Sequence, residues 1–254
     1  MIRLCVFCVL LFPCWAQELR TASGHSMQYY VSLPTGWTIN SKWPVIILVE
    51  SANKQFKETL EIFAKARKDA PFILAAPLVT TNGGANYRQA DTYHYSEATW
   101  REIEKDRCKF DLDGITAVAA DVQKHFSGED RYFLTGWEAG GHTVWAMILQ
   151  HPERMAAAAP AVTNYAGRCL DAGASSSTAR IDFPVTVFQL EAGRDVAPGK
   201  FVYQQSQQAM QVATAQGFRN VTERLVANRP HGPLADEVVA YFWSLWKARR
   251  VFAP

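Results

Sequence analysis

Residues 131–142 read RYFLTGWEAGGH, and this stretch is the strongest indication of the fold. Its first part, 131–134, is a short apolar run of the kind that forms a buried strand. Three glycines follow within six residues, which favours a tight turn. The segment 139–150 then continues as a predicted helix. The stretch therefore predicts a strand, a sharp turn and a helix, with Glu138 in the turn.

On both sides of this stretch, short apolar runs alternate with longer helix-like segments along the chain. The predicted strands are 27–33, 45–49, 72–75, 131–134, 185–190 and 221–226, with 156–161 as a further candidate. The predicted helices are 57–68, 112–125, 139–150, 203–216 and 234–248. This alternation is typical of an α/β domain, with a mainly parallel central sheet covered by helices on both faces.

The composition fits one globular domain with a large core. Of the 254 residues, 48% are hydrophobic and 20% are charged, which excludes a disordered or fibrous chain. Lys and Arg number 26 against 24 Asp and Glu, and no basic stripe is present, so no nucleic-acid partner is predicted. The histidines show no spacing typical of metal ligands, and neither a metal nor a cofactor is predicted.

The first residues resemble a removable export signal. Arg3 supplies a positive start, 4–12 an apolar run and 14–16 a small-x-small ending. We therefore predict a signal peptide at 1–16 and a mature domain at 17–254, located in the periplasm or secreted. The apolar run is shorter than a membrane span needs, and nothing later reaches that length, so no membrane association is expected after signal removal.

Three of the five cysteines would leave with the signal, namely Cys5, Cys8 and Cys14. Cys108 and Cys169 remain, and an even pair in an oxidising compartment predicts a disulfide, with two free thiols as the alternative. The bridge would join the irregular stretches 78–109 and 164–182, which we expect to run over the ligand site. A lipid anchor on Cys14 is a second, less favoured interpretation of the leader.

The strand, turn and helix around Glu138 resemble the nucleophile elbow of the α/β-hydrolase superfamily. From residue 27 to 246 the chain is similar to secreted polyester depolymerases, feruloyl esterases and acetyl-xylan esterases. The resemblance implies a single-domain α/β-hydrolase fold and a small-molecule or ester-like ligand in a pocket at the strand ends. It also implies nucleophile, acid and histidine in that order, which here fall on Glu138, Asp195 and His231. Other acids could replace Asp195, namely Asp182, Glu191 and Asp236.

The chain departs from that pattern at three positions. Where G-x-S-x-G requires serine, 136–140 reads GWEAG, so the turn carries no hydroxyl. After the strand 45–49, relatives carry His-Gly at the oxyanion hole, whereas this chain has Glu50. After 185–190, another common His-Gly is replaced by Glu191 and an alanine. The candidate oxyanion-hole donors are backbone N–H groups of Ser51, Ala52 and Ala139.

An acidic cluster of Glu50 and Glu191 beside Glu138 is therefore expected at one edge of the sheet. Two carboxylates about 5 Å apart repel by about 3 kcal/mol at an effective dielectric near 20. One carboxyl can keep its proton, a cationic side chain can lie among them, or the site can bind a metal or a cationic ligand. The start of a helix favours a negative charge, so we expect Glu138 to be ionised. An ionised Glu138 would favour the protonated form of a neighbouring His231. We therefore predict an ion pair between the two side chains.

These substitutions predict an esterase-like protein that has lost serine-dependent hydrolysis and acts as a binding or structural relative. The alternative is an active hydrolase that uses Glu138 as a carboxylate nucleophile with Asp195 and His231, as dehalogenases and epoxide hydrolases of the superfamily use aspartate. A third route would use Ser51 or a metal-activated water.

The positions of four tryptophans in the sequence predict where their side chains lie. Trp137 and Trp145 lie on or just after the turn and are predicted to line the pocket. Trp243 and Trp246 occur at helical spacing and are predicted to belong to the core.

Overall fold

The computed structural model describes residues 18–83, 88, 92–171, 182–194 and 199–251. The predicted signal peptide at 1–16 and the predicted acid Asp195 lie outside these ranges. The described residues form one α/β domain, as the alternation of strand-like and helix-like segments predicts. None of the helices within these ranges is long and apolar enough to span a bilayer.

Eight strands and six α-helices make up the described part of the chain. The strands are β1 (Glu18–Thr21), β2 (Gln28–Ser32), β3 (Val45–Val49), β4 (Ile73–Pro77), β5 (Tyr132–Glu138), β6 (Met155–Thr163), β7 (Val185–Leu190) and β8 (Val221–Val226). The helices are α1 (Phe56–Arg67), α2 (Glu97–Lys105), α3 (Arg107–Phe126), α4 (Gly141–Gln150), α5 (Gly199–Ala215) and α6 (Ala235–Val251).

The strands form one sheet in the order β1-β2-β4-β3-β5-β6-β7-β8. The pairs β1–β2 and β2–β4 are antiparallel, and all the others are parallel. The central strands β3 and β5 are neighbours, with Val49 paired to Gly136. Strands β3 and β6 are buried along their whole length, which fits apolar runs covered on both faces.

Helices cover both faces of the sheet, as predicted. On one face the core includes Val118 of α3, Trp145 of α4 and Ala213 of α5. On the other face it includes Phe63 of α1 and Phe242 of α6. The carboxyl ends of β3 and β5 therefore open between two layers of helices, where parallel α/β sheets place their sites.

The structure adds elements that the sequence did not predict. Helix α2 lies within the stretch 78–109, which lacks clear periodicity. The side chain of Ser96 caps it by accepting a hydrogen bond from the Thr99 N–H at 3.1 Å, and α2 buries Trp100. The antiparallel strand β1 was also missed, because none of its four residues is fully buried. The candidate strand at 156–161 is confirmed as part of β6.

A disulfide bond joins Cys108 to Cys169, with Cα atoms 5.0 Å apart. Cys169 lies in the segment after β6, but Cys108 lies in the first turn of α3 and not in a loop. Helix α3 begins five residues earlier than the predicted start at 112, because Asp106 caps it by accepting a hydrogen bond from the Lys109 N–H. The bond therefore anchors the segment after β6 to a helix.

Candidate functional site

Glu138 occupies the sharp turn between β5 and α4. Its φ angle is +49°, in the left-handed region that residues other than glycine seldom adopt. The pairing of β5 with β6 also shifts register between Trp137 and Glu138. A strained residue between a strand and a helix is the geometry of a nucleophile elbow. Glu138 therefore occupies the position at which a turn of this kind carries the nucleophile.

The turn lies directly against the end of β3. A side chain at Gly140 would place its Cβ atom 2.5 Å from the carbonyl oxygen of Glu50. At Gly136 the Cβ atom would lie 2.8 Å from the carbonyl oxygen of Val49. Only glycine permits these approaches, so the two glycines bring the backbone of Glu138 next to that of Glu50.

The carboxylate of Glu138 has one oxygen without a partner. Oε2 is shielded from solvent and makes no hydrogen bond. Among the ion pairs of the described residues, none involves Glu138, and no ring nitrogen of His231 lies within 4.0 Å of its oxygens. The predicted ion pair between Glu138 and His231 is therefore wrong.

His231 is exposed and lies in the loop after β8. Its ring packs on Trp137, the residue before Glu138. The centroids of the His231 and Trp137 rings are 5.7 Å apart. The His231 ring thus packs beside the residue before Glu138 without bringing a ring nitrogen within 4.0 Å of the Glu138 carboxylate. The order of these residues could be predicted from the sequence, but the direction in which each side chain points could not.

Glu50 is the buried carboxyl of the site, with 1% of its surface exposed. The Ser51 hydroxyl donates to Glu50 Oε1 at 2.7 Å. Burial raises the pKa of Glu50, although Thr59, Ser51 and Trp137 lie close enough to oppose the increase. Neither Thr59 nor Trp137 reaches hydrogen-bonding geometry, so Glu50 Oε2 and Trp137 Nε1 both lack a partner. Burial therefore favours the protonated form of Glu50 more than it would for an exposed glutamate.

The backbone groups expected to form an oxyanion hole are held in place by a buried amide. Asn82 donates from Nδ2 to the carbonyl oxygens of Glu50 at 2.9 Å and Ser51 at 2.8 Å. Within the described ranges, the backbone N–H groups of Ala52 and Ala139 have no acceptor. One N–H follows β3 and the other follows β5, so both donors are available at the same edge of the sheet.

The remaining predicted acids do not join the buried group. Glu191 begins a short 3-10 helix (Glu191–Arg194) and is exposed, so it does not share the burial of Glu50. The substitutes Asp182 and Asp236 are exposed, and Asp236 is paired with Arg229 at 3.1 Å. No described acid makes an ion pair with His231.

A buried polar network beside the site escaped the sequence analysis. Asp111 is fully buried and accepts hydrogen bonds from the N–H groups of Thr80 and Thr81, each at 2.7 Å, and from both hydroxyls. Burial raises the pKa of Asp111 to about 6. The Thr81 hydroxyl also lies 2.8 Å from that of Thr143 in α4. No local pattern signals this network, because its members are far apart in the sequence.

Two side chains just beyond the turn are buried. Trp145 is fully buried, and its Nε1 donates to Thr163 Oγ1 at 3.2 Å. Its predicted place in a pocket is therefore wrong, since helical periodicity turns it into the core. His142 is 7% exposed, and burial together with Arg168 lowers its pKa to about 4. It is therefore neutral at pH 7.

Within the part of the chain that the structure describes, no three His, Cys, Asp or Glu side chains are grouped as metal ligands. A metal ion thus has no donor set among these residues, and neither Lys nor Arg pairs with Glu138. Of the remedies for carboxylate crowding, a raised pKa at Glu50 and a ligand at Glu138 remain.

Solved structures resemble this fold, whereas no protein-family model and no curated protein sequence matches the chain. A poly(aspartic acid) hydrolase from Sphingomonas is 15% identical with a TM-score of 0.62, and the match covers 93% of this chain and 100% of that one. A poly(3-hydroxybutyrate) depolymerase from Bordetella parapertussis is 12% identical with a TM-score of 0.61, covering 92% and 91% of the chains. A thermostable esterase is 14% identical with a TM-score of 0.57, and the match covers 93% of this chain.

This chain spans 63% of the length of that thermostable esterase. At such identities the likeness concerns the fold alone. The predicted single-domain α/β-hydrolase fold is confirmed, and the neighbours are esterases and other hydrolases. Whether the chain shares their chemistry has to be argued from its own residues.

Proposed function

We propose that this chain is an exported, esterase-like protein of the α/β-hydrolase fold that has lost serine-dependent ester hydrolysis and binds a small ligand. The observation that carries the proposal is Glu138 at φ +49° in the elbow turn. A serine esterase needs a hydroxyl at that apex and a histidine within hydrogen-bonding reach to activate it. Glu138 supplies no hydroxyl, and no hydrogen bond joins it to His231 in the described structure.

Among the residues that the structure describes, Ser51 does not replace the missing nucleophile. Ser51 is buried, and its hydroxyl donates to the carboxyl of Glu50. A hydroxyl held in this way is not activated by an imidazole. Glu50 would also oppose a developing oxyanion whenever it is ionised. These contacts support loss of hydrolysis better than a rearranged serine mechanism.

The same contacts support a binding role. Glu138 offers a carboxylate oxygen that lacks a donor, while Ala52 and Ala139 offer N–H groups that lack an acceptor. A small ligand with a cationic or N–H group and a carbonyl oxygen would satisfy both, and the shielded oxygen of Glu138 would gain most from a partner. An ester-like or amide-like molecule bearing an amine has this chemistry.

A carboxylate nucleophile is the second candidate, and the unpaired oxygen of Glu138 favours it. Glu138 would attack an epoxide carbon, the ring C–O bond would break, and the alkoxide would take a proton from water. A second water, deprotonated by His231, would then attack the Glu138 carbonyl carbon, the ester C–O bond would break, and the leaving alkoxide would take the proton held by His231 to give the diol. The Glu138 carboxylic acid would lose its proton to the hydroxide left by the first step. The extra methylene of glutamate relative to aspartate makes an attacking geometry harder to hold.

Turnover assays separate these functions. Purified mature protein would be incubated with short p-nitrophenyl esters and with styrene oxide, alongside Glu138→Gln and the exposed control Glu58→Gln. We expect all three proteins to match the rate without protein, because neither Glu138 nor Ser51 is paired with an imidazole that could activate it. Wild-type turnover that Glu138→Gln abolishes and Glu58→Gln retains would establish the carboxylate nucleophile and overturn the proposal.

Export is supported by the signal-like residues 1–16 and by the bond between Cys108 and Cys169, since structural disulfides persist mainly in oxidising compartments. Mass spectrometry of the protein from the cytoplasmic, periplasmic and extracellular fractions of the cells that produce it would test this. We expect a mature chain that begins near Gln17, and a full-length chain in the cytoplasm would contradict export.

A further inference from the structure

A groove runs between α1 and α6 on the face of the sheet that carries His231. One cavity of about 460 Å³ lies beside the loop of His231, and a second of about 410 Å³ lies further along the two helices. Both are lined by Ala66 and Asp236, so they form one continuous groove. Small side chains at Ala66 and Ala240 keep it open. Its size suits a ligand of a few hundred daltons.

Trp243 forms an aromatic wall in the second cavity. It is half-buried, and its ring packs edge-on against Phe72 with centroids 6.3 Å apart. Lys247 places its Nζ atom 5.4 Å from the centre of the same ring. Trp243 therefore packs on the core through Phe72, which extends the sequence prediction, and it also lines the groove.

The groove carries an excess of positive charge. Lys65 and Lys68 line it and make no ion pair among the described residues. Below them, the Arg67 guanidinium donates to carbonyl oxygens of Ser32, Leu33 and Phe72, so that its charge lies under the groove.

The acids of the groove compensate this charge only in part. Asp236 is engaged by Arg229, which leaves Asp69 as the lining acid without an ion pair among the described residues. Lys247 adds a further cation at the far end of the groove. An anionic ligand is therefore favoured electrostatically.

We propose that this groove binds a ring-bearing carboxylate, with the ring against Trp243 and the carboxylate between Lys68 and Lys247. Aromatic side chains stack on flat rings, and lysines supply mobile cations for a carboxylate. Both aromatic acids and acidic sugars have this chemistry. The site is separate from Glu138 and requires no hydrolysis, so it stands whether or not the proposed function holds.

Isothermal titration with matched probes tests the groove. The anionic probes are 2-naphthoate and digalacturonate, and the neutral counterparts are 2-naphthalenemethanol and cellobiose. We expect at least one anionic probe to bind about ten-fold or more tighter than its neutral counterpart. Naphthoate binding identifies an aromatic acid and digalacturonate binding an acidic sugar. Failure of both anionic probes overturns the proposal.

Variants locate the binding. The double substitution Lys68→Glu and Lys247→Glu should weaken the anionic probe about ten-fold or more, whereas Lys124→Glu, an exposed lysine on α3, should leave the affinity unchanged. Trp243→Phe, which keeps an aromatic ring, should weaken binding less than Trp243→Leu. Melting curves would confirm that each variant is folded. Equal losses in the lysine double variant and in Lys124→Glu would mean long-range attraction alone and would contradict a local site.

Discussion

Asp111 and Glu50 are both buried carboxyl groups near the ends of central strands, but their surroundings differ. Both oxygens of Asp111 accept hydrogen bonds from Thr80 and Thr81. Glu50 has one oxygen bonded to Ser51 and the other without a partner. A buried polar group costs little when it is satisfied and much when it is not. The comparison separates a carboxyl that stabilises the fold from one that lies in a site.

The elbow repeats the pattern of Glu50. Glu138 combines an unpartnered carboxylate oxygen with a left-handed backbone. Strain of this kind persists where the surroundings impose it, and it concentrates at functional sites. We therefore expect substitutions in the Asp111 network to destabilise the fold and substitutions at the elbow to leave it equally stable or more so.

Removing the Asp111 carboxylate should produce the largest effect. In Asp111→Ala, two buried N–H groups and two hydroxyls lose their acceptor, so the free energy of unfolding should fall by about 3 kcal/mol. The measurement is urea denaturation at pH 7. The matched control is Asp113→Ala on the same helix, whose exposed pair with Lys109 is worth no more than about 0.5 kcal/mol. Similar losses in the two variants would remove the contrast.

Relieving the backbone strain at Glu138 should change the free energy of unfolding by an intermediate amount and in the opposite direction. Glu138→Gly should raise the free energy of unfolding by about 1 kcal/mol, because glycine adopts a positive φ at little cost. Glu138→Ala is the control, since it removes the carboxylate but keeps the strained backbone. The glycine variant should be the more stable of the two in urea. An alanine variant as stable as the glycine variant would show that the turn carries no strain.

Neutralising Glu50 should have the smallest effect, a change below about 1 kcal/mol in the free energy of unfolding at pH 7. The effect should be detected from its dependence on pH. Burial raises the pKa of Glu50, so the stability linked to its proton is present below the unfolded pKa of about 4.3 and is lost as pH rises through the folded value. Glutamine does not titrate. Glu50→Gln should therefore gain stability relative to wild type as pH rises from 4 to 8, as followed by thermal melts.

A constant difference across that range would show that Glu50 titrates alike in both states. The contribution of Asp111 is present in both proteins and cancels from the comparison. The sign of the trend is therefore specific to Glu50.

The sequence predicted the parts of the fold that rest on local patterns. Apolar runs located the central strands, and the glycines around Glu138 located the elbow. Helix α2 was missed, because it is short and buries few residues, among them Trp100 and Ile103. Strand β1 was missed, because an exposed edge strand has no apolar run to detect.

The candidate site was predictable in its residues but not in its contacts. Strand ends placed Glu50 and Glu138 at one edge of the sheet, and their backbones do meet there. The direction of His231 depends on how its loop packs on Trp137, which no local pattern records. The groove at Trp243 arises between two helices that are distant in sequence, so only the folded chain reveals it.

The bond between Cys108 and Cys169 closes a covalent ring with a sequence separation of 61 residues. That ring contains β5, the elbow, α4 and β6, and closing a loop of this size removes about 4 kcal/mol of chain entropy from the unfolded state. The turn that carries Glu138 is thus built into a segment whose two ends cannot separate. A protease that cuts once inside the ring would release no fragment, and the severed ends would stay tethered until the sulfurs were reduced.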